Sequence, residues 1–390
     1  MDNRDLKRML LLQAASDIKT FEDLVSVFSF NQEYLNDYTL INATDNSNSI
    51  NIYSVFSNEK DFENHLSTPF VNGKINIVNE RIMKKTKWKK HIHTGLEMCV
   101  SFDTQTVSYF NRYYRKQLSS LPNNINKAID LLYKNNVGVD YIPYTMENLM
   151  FSSENSESVF DSIYTFERLY HKDEKSKEQC VKQAEQIIQW YTKTRSSNFF
   201  EARHLFCHVY AALLKMCYIQ LTFPHFSVGK KMALLCEFMN LQLFTMLQPE
   251  LILAKQYFQH GQDYYFFGKV QKGRTDVVKI IKNMAWDLFH MRMLEAGCAY
   301  KSSKKSDVFV PCFFTYDKRL HQVKECYELK SMAINNKTYQ RFTFYAKTDE
   351  IVEYIKKYST AEKLLERNAN RGTVNIDKLI NELEKDISSV

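Results

Sequence analysis

Apolar and polar residues alternate along this chain in a pattern that predicts an α/β core. Residues 96–102, LEMCVSF, form an apolar run typical of a buried strand, and TQTVSYFNRYYRKQL at 104–118 continues with helical spacing. The same order recurs where VGVDYIP at 137–143 is followed by YTMENLMF at 144–151. A repeated strand-to-helix order favours a sheet of parallel strands.

The second part of this core is predicted after a long helical block. Residues 153–272 carry apolar side chains every three or four positions through several successive segments. A long helix is then predicted over 276–297, and the strand DVFVPCFFTYD follows at 307–317. We therefore expect the strand-and-helix order to resume beyond a large all-helical insertion.

Both ends of the chain are expected to extend this core. Helical spacing over 4–29 precedes a polar, Asn- and Ser-rich stretch that contains the strand-like pieces SINIYSVF (49–56) and GKINIV (73–78). Near the other end, TYQRFTFYA (338–346) predicts one more strand before a charged helical tail. The chain is predicted to begin with a helix and strand lobe (1–95), followed by the first part of the core (96–152) and the helical insertion (153–272). The second part of the core (273–332) and a C-terminal strand and helical extension (333–390) complete it.

Composition indicates a soluble and mostly helical protein. The 390 residues are 44% hydrophobic and 25% charged, and the scarcity of Gly (9) and Pro (6) leaves few signals that end helices. A net charge of +7 permits binding to a polyanion without requiring it. The eight cysteines show no CxxC spacing, which is typical of reduced thiols in a cytoplasmic protein. The stretch VYAALLKMCYIQLTF is interrupted by Lys215 and is too short to predict a membrane span.

Four acidic residues stand where an α/β sheet places its ligands. Asp103 follows the first strand and Glu147 lies in the first turns of a helix. Asp287 lies within the long helix, and Asp317 follows the late strand. Segments that follow parallel strands open into one crevice, so acids that are distant in sequence can meet there. Clustered carboxylates require a cation, and Mg²⁺ or Mn²⁺ held by them can activate water for attack on a phosphodiester.

The segments around these acids resemble the acidic motifs of PIN-like nucleases, in the order usual for that family. They are VSFDTQTVSYF around Asp103, YIPYTMENLMF around Glu147, NMAWDLFHMRMLE around Asp287 and FFTYDKRL around Asp317. The resemblance covers 96–152 and 273–332. It implies a PIN-like parallel-sheet core that the helical insertion splits in two.

This resemblance also implies a metal-dependent nuclease that acts on RNA more than on DNA. The catalytic residues and metal ligands that it implies for Mg²⁺ or Mn²⁺ are Asp103, Glu147, Asp287 and Asp317, and the Thr315 hydroxyl is implied to orient Asp317 or a metal-bound water. The insertion and the N-terminal lobe depart from compact family members and decide which nucleic acid can enter. A nuclease with such added lobes would suit a bacterial toxin or a phage-defence effector, with a regulatory partner protein or as a homo-oligomer.

Each acid also has a purely structural interpretation. Asp103 and Asp317 precede helices and can serve as N-caps, and Glu147 can simply favour the helix dipole. Asp287 is harder to explain by folding alone, because a charge among apolar helical residues needs a partner. The alternatives for the second acid of the site are Asp140 and Glu167.

A basic stretch before the first core strand is the candidate nucleic-acid-binding segment. RIMKKTKWKKHIH at 81–93 combines six cations with a tryptophan. Cationic side chains neutralise phosphates, and an aromatic ring can stack on an unpaired base. The candidate contacts are Lys84, Lys85, Lys87, Trp88, Lys89 and Lys90. A solvated linker is the competing interpretation.

Two other functions stay open. Arg203 and His208 in EARHLFCHVY have a spacing that resembles the catalytic motif of HEPN ribonucleases, which need no metal. His204 and His208 also share a helical face and could bind zinc with Glu201, although no further ligand is evident. The chain can instead be a non-catalytic PIN-like scaffold that binds a protein or RNA through its helical insertion.

Overall fold

The protein is a mixed α/β chain that divides into two compact units. The computed structural model describes residues 3–46, 49–56, 64–86, 96–151, 154–172, 174–193, 198–299 and 308–390. Unit 1 comprises Met1–Lys193, Met291–Asp317 and Glu328–Ala346. Unit 2 comprises Thr194–His290, Lys318–Tyr327 and Lys347–Val390. The predicted helical insertion is therefore divided between the two units.

All of the described strands belong to unit 1, where they form two sheets. They are β1 Tyr38–Ala43, β2 Ile50–Asn51, β3 Leu66–Ser67, β4 Lys74–Val78, β5 Leu96–Phe102, β6 Gly138–Asp140, β7 Val308–Phe314, β8 Leu329–Asn335 and β9 Arg341–Tyr345. One sheet has five strands in the order β2-β4-β1-β8-β9, and the other has four in the order β3-β7-β5-β6.

The four-stranded sheet contains the parallel strands that the sequence pattern predicts. β5 pairs in parallel with β6 on one side and with β7 on the other, while the two-residue β3 pairs antiparallel to β7. In the β5–β7 register Phe102 lies opposite Phe314, so these two strands end side by side. Residues 103 and 315, which follow the two strands directly, start from the same edge of the sheet. The α/β class and the parallel pairing are confirmed.

The five-stranded sheet departs from the prediction. Its strands pair antiparallel throughout, and two of them, β1 and β8, were not predicted. The prediction of a strand over SINIYSVF is wrong beyond Ile50–Asn51, because Ile52–Phe56 is a 3₁₀ helix. β1 was not predicted because a polar residue, Asn42, interrupts its apolar sequence. Asn42 is nevertheless buried, because its side-chain amide donates hydrogen bonds to the backbone oxygens of Ala15 (2.6 Å) and Ile18 (3.0 Å).

Helices make up most of the rest of the chain. The α-helices that the structure describes in unit 1 are Asn3–Ala15, Phe21–Phe30, Gln32–Leu35, Glu80–Thr86, Thr104–Tyr114, Ile125–Lys134, Ile142–Leu149, Ser156–His171 and Lys177–Lys193. The helix Val277–Gly297 begins in unit 2 and ends in unit 1. The other helices of unit 2 are Asn198–Thr222, Val228–Leu241, Gln248–His260, Lys318–Tyr327, Val352–Ile355, Ala361–Asn370 and Ile376–Ser388.

Aromatic side chains fix two helices of unit 1 against the four-stranded sheet. The ring of Phe102, at the end of β5, lies 5.2 Å from the ring of Phe110 and 5.2 Å from that of Phe166, measured between centroids. All three side chains are buried. Burial of each such side chain contributes about 1.5–3 kcal/mol, so the helices Thr104–Tyr114 and Ser156–His171 are held where β5 ends.

Unit 2 is a helical body with its own aromatic core. The rings of Phe206 and Trp286 lie 4.0 Å apart, and Tyr257 stacks on Phe267 at 3.7 Å. Within this unit, the helix Asn198–Thr222 contains a described stretch, Glu201–Thr222, whose length and mean hydropathy (1.3) would allow it to cross a membrane, but 72% of the apolar window in this stretch is buried in the protein. Such burial is typical of the core helix of a soluble protein.

Candidate active site

Asp103 lies at the junction of β5 and the helix Thr104–Tyr114. It is only 5% exposed, and its Oδ1 accepts a hydrogen bond from the backbone N–H of Thr106 at 2.7 Å. This is the N-cap interaction that the sequence offered as the structural interpretation, and it is confirmed. The other carboxylate oxygen, Oδ2, accepts a hydrogen bond from the Thr315 hydroxyl at 2.6 Å. That second contact is not part of any helix cap.

Thr315 connects the ends of two parallel strands. Its hydroxyl donates to Asp103 and accepts a hydrogen bond from the backbone N–H of Asp317 at 2.9 Å. Its own backbone N–H donates to the carbonyl oxygen of His65 at 3.0 Å, and the side chain is 1% exposed. The resemblance implied that this hydroxyl orients Asp317 or a metal-bound water. In the structure it fixes the carboxylate of Asp103 and the backbone at Asp317.

Asp317 and Glu147 are the other two predicted acids of unit 1. Asp317 is half-buried and directly precedes the helix Lys318–Tyr327. Glu147 is half-buried on the helix Ile142–Leu149, where its neighbour Asn148 donates to the Thr104 hydroxyl at 3.3 Å. The helix that carries Glu147 is thus hydrogen-bonded to the helix that Asp103 caps.

Asp287 belongs to unit 2, unlike the other three predicted acids. It is half-buried on the helix Val277–Gly297, between the buried side chains of Trp286 and Leu288. The charge therefore lies on an apolar helix, as the sequence indicated. Its participation in a site with Asp103 stays a prediction.

The basic stretch falls largely outside the described part of the chain. Lys84 is 73% exposed on the helix Glu80–Thr86 and forms an ion pair with Glu80 at 2.7 Å, one helical turn away. Such a surface pair contributes little to stability and leaves the ammonium accessible. The side chain of Lys85 and all of Lys87, Trp88, Lys89 and Lys90 lie outside the described residues.

The carboxylates of unit 1 suit a hard cation by their chemistry. Among the side chains that the structure describes, no three from His, Cys, Asp and Glu lie close enough together to hold a metal ion. Mg²⁺, however, usually takes one or two carboxylates, retains several waters and completes its shell with substrate phosphates. Both oxygens of Asp103 accept a hydrogen bond from a neutral donor, the backbone N–H of Thr106 and the Thr315 hydroxyl, so these two bonds orient the carboxylate without neutralising its charge. Asp103 and Asp317 therefore fit this mode of binding.

Arg203 and His208 are not placed where both could contact a substrate: one is ion-paired and the other is buried. Arg203 is ion-paired with Asp377 at 2.7 Å, and His208 is 2% exposed. The Nδ1 of His208 lies 2.7 Å from the carbonyl oxygen of His204. Burial lowers the pKa of His208 to about 4, so the ring is neutral at pH 7. These contacts favour a structural role for both residues.

Sequence reasoning missed the aromatic side chains beside Thr315. The ring of Tyr316 lies 4.8 Å from that of His65 and 5.7 Å from that of Tyr109. Tyr316 is part of the FFTYD motif, but its partners come from elements far away in sequence, so only the fold brings them together. The two alternatives to Glu147, Asp140 and Glu167, line a cavity along β6 whose described walls include neither Asp103 nor Asp317.

Comparison with protein-family models, with curated proteins and with solved structures finds no match to this chain. The resemblance to PIN-like nucleases therefore rests on the four acidic motifs and on their order.

Proposed function

We propose that this protein is a metal-dependent nuclease with a PIN-like core split by helical segments. The observation that carries the proposal is the hydrogen bond of 2.6 Å between the Thr315 hydroxyl and Asp103 Oδ2. It joins the ends of two parallel strands that are 212 residues apart in sequence, at the edge where α/β sheets bind ligands. Asp103 and Asp317 would hold Mg²⁺ or Mn²⁺ there, and Glu147 and Asp287 are the further proposed ligands.

The metal would neutralise the charge that develops on a phosphodiester and lower the pKa of a bound water. Asp103 would bind it in a fixed orientation, because the backbone N–H of Thr106 and the Thr315 hydroxyl already hold the carboxylate. Asp317 is fixed through its backbone N–H. The proposed substrate is RNA, and the proposed location is the cytoplasm. A role as a toxin or an antiviral defence effector is proposed by analogy alone.

The test is cleavage of labelled single-stranded RNA and DNA with Mn²⁺, with Mg²⁺ and with EDTA. The chain is compared with Asp103→Asn, Asp317→Asn and the control Glu157→Gln, which changes an exposed carboxylate in the first turn of Ser156–His171. Asn caps helices as well as Asp does, so Asp103→Asn removes the charge and preserves the cap. We expect cleavage to require the metal and to fall at least about 100-fold in both Asp variants, as when one charge-stabilising group is removed from an active site.

The control and a second pair of substitutions define the opposite results. Glu157→Gln should cleave like the unchanged chain. Cleavage that persists in EDTA and disappears in Arg203→Ala with His208→Ala would replace the proposal by a HEPN-like, metal-independent ribonuclease. Absence of cleavage under every condition would favour the non-catalytic scaffold.

A further inference from the structure

Unit 1 contains a cavity of about 510 Å³ along β6. The helices Ser156–His171 and Lys177–Lys193 form its other walls. β6 is the last strand in the order of its sheet, and its outer side pairs with no other described strand. The volume is within the range of about 300–1,000 Å³ that small-molecule sites occupy. The cavity is therefore large enough for a purine or pyrimidine ring with its sugar.

A buried carboxylate with three partners forms the inner wall of this cavity. Glu167 is 4% exposed, and its Oε1 accepts a hydrogen bond from the Tyr141 hydroxyl at 2.7 Å. Its Oε2 lies 2.9 Å from Lys175 Nζ and 3.4 Å from His171 Nε2. A buried charge is tolerated when its hydrogen bonds are made, and such a network holds its members in one arrangement. The wall is thus formed before any ligand enters.

The outer wall combines an aromatic ring with amide side chains. Trp190 lines the cavity and is 46% exposed, although it is a large apolar side chain. Gln183 and Gln186, on the same helix, also line the cavity. Each glutamine amide offers both a hydrogen-bond donor and an acceptor. An exposed aromatic ring is a platform on which an unpaired base can stack. An aromatic ring beside amides is the combination that recognises a nucleobase.

The charge of the lining disfavours a lone phosphate as the ligand. It contains the carboxylates of Asp140 and Glu167 and one ammonium, that of Lys175. Burial lowers the pKa of His171, so its ring is neutral at pH 7. The lining is therefore net negative, which suits a neutral ring that carries N–H donors.

We propose that this cavity binds one unpaired nucleobase, stacked on Trp190 and hydrogen-bonded at its edge by Gln183 and Gln186. This inference rests on the proposed nuclease function, because the choice of a nucleic-acid base as the ligand follows from that function. Asp140 pairs with Ser101 in the parallel register of β6 and β5, and Asp103 lies two residues beyond Ser101. The cavity thus lies along β6, and the proposed metal ligand Asp103 directly follows the neighbouring strand β5. A base held in the cavity would belong to the same single strand that reaches Asp103, and would set the sequence preference of cleavage.

The test is equilibrium binding of AMP, GMP, CMP and UMP to the full chain, in EDTA, with ribose 5-phosphate as the ligand that lacks a base. We expect the nucleotides to bind and ribose 5-phosphate not to bind. Trp190→Ala should weaken nucleotide binding about tenfold or more, which corresponds to the loss of one stacking contact. Trp190→Phe, which keeps a ring, should retain most of the affinity. The control is Phe30→Ala, which removes another exposed helical aromatic (88%) of the same unit and should bind normally.

Two results would overturn the inference. If ribose 5-phosphate binds as tightly as the nucleotides, the cavity is a phosphate site. If a Trp190→Ala chain with a normal circular dichroism spectrum binds nucleotides with unchanged affinity, Trp190 is not the residue on which a base stacks. Because EDTA prevents metal-dependent cleavage, the assay separates the two proposals. Base binding by a chain that never cleaves would support the cavity and overturn the nuclease, and cleavage without base binding would do the reverse.

Discussion

At the scale of single residues, a hydroxyl buried between two strand ends organises the proposed site. Thr315 is 1% exposed, and its oxygen both donates to Asp103 and accepts from the backbone of Asp317. A buried carboxylate that loses one of its donors is costly, because water cannot replace the missing hydrogen bond. The stability of the chain and the geometry of the site therefore depend on the same group.

We predict that Thr315→Val lowers the free energy of unfolding by about 1–3 kcal/mol, the usual cost of leaving a buried polar group without its partner. Valine has nearly the shape of threonine but has no hydroxyl for Asp103 or Asp317. Urea denaturation followed by circular dichroism measures the change. Thr315→Ser, which keeps the hydroxyl, is the matched control and should lose much less. Equal losses in Val and Ser would contradict the role given to this hydrogen bond.

At the scale of elements, the end of the helix Val277–Gly297 lies unusually close to β7. A Cβ atom at Gly297 would lie 2.9 Å from Cγ of Pro311, and the proline ring has no flexible end that could move away. The glycine allows the helix to end against the strand that leads to Thr315. The spacing of helix and strand at this point thus depends on the absence of a single methyl group.

We expect Gly297→Ala to destabilise the protein by about 1–2 kcal/mol. Alanine favours a helix by up to about 1 kcal/mol over glycine, but overpacking a buried contact typically costs about 1–3 kcal/mol. The clash therefore outweighs the propensity. Gly229→Ala is the control, since nothing lies within 4 Å of a Cβ there and the residue is also helical. Thermal melts of both variants decide the point, and a Gly297→Ala chain at least as stable as the control would show that the helix can shift freely.

At the scale of the whole molecule, neither sheet is built from one continuous part of the chain. β5 pairs with β7 and β1 pairs with β8, so strands before residue 103 depend on strands after residue 307. The predicted N-terminal lobe and C-terminal strand consequently share one five-stranded sheet. Closing such long loops costs entropy that only the complete sheets offset.

The fragment Met1–Lys193 is therefore predicted not to fold alone, although it contains half of the chain and most of unit 1. Without β7, β8 and β9 both sheets would lose central or edge strands and expose the buried faces of β1 and β5. Amide NMR spectra and thermal melts of the fragment, recorded beside those of the full chain, are the measurement. Dispersed amide signals with a cooperative melt in the fragment would mean that its own contacts suffice.

Local sequence patterns predicted the elements whose pattern is regular. β5 and β7 were predicted because each is a nearly continuous apolar run, and the long helices because their apolar residues recur every three or four positions. The capping role of Asp103 was recognised from its position before a helix. β1 and β8 were missed because buried polar residues, Asn42 and Ser331, interrupt their apolar pattern. Their hydrogen-bond partners, where the structure gives them, lie in distant segments and leave no local signal.

The amino-acid sequence alone predicts β5, β7, the long helices, the order of the acids and the basic character of the stretch before β5. Three further facts come from the folded chain: Thr315 contacts Asp103, Asp140 and Glu167 line a separate cavity, and Asp287 belongs to unit 2. A pattern of apolar residues shows that a segment has a buried face, but it does not identify the segment that covers this face. Which strands pair, and which side chains meet at their ends, depends on the free energy of the complete sheets.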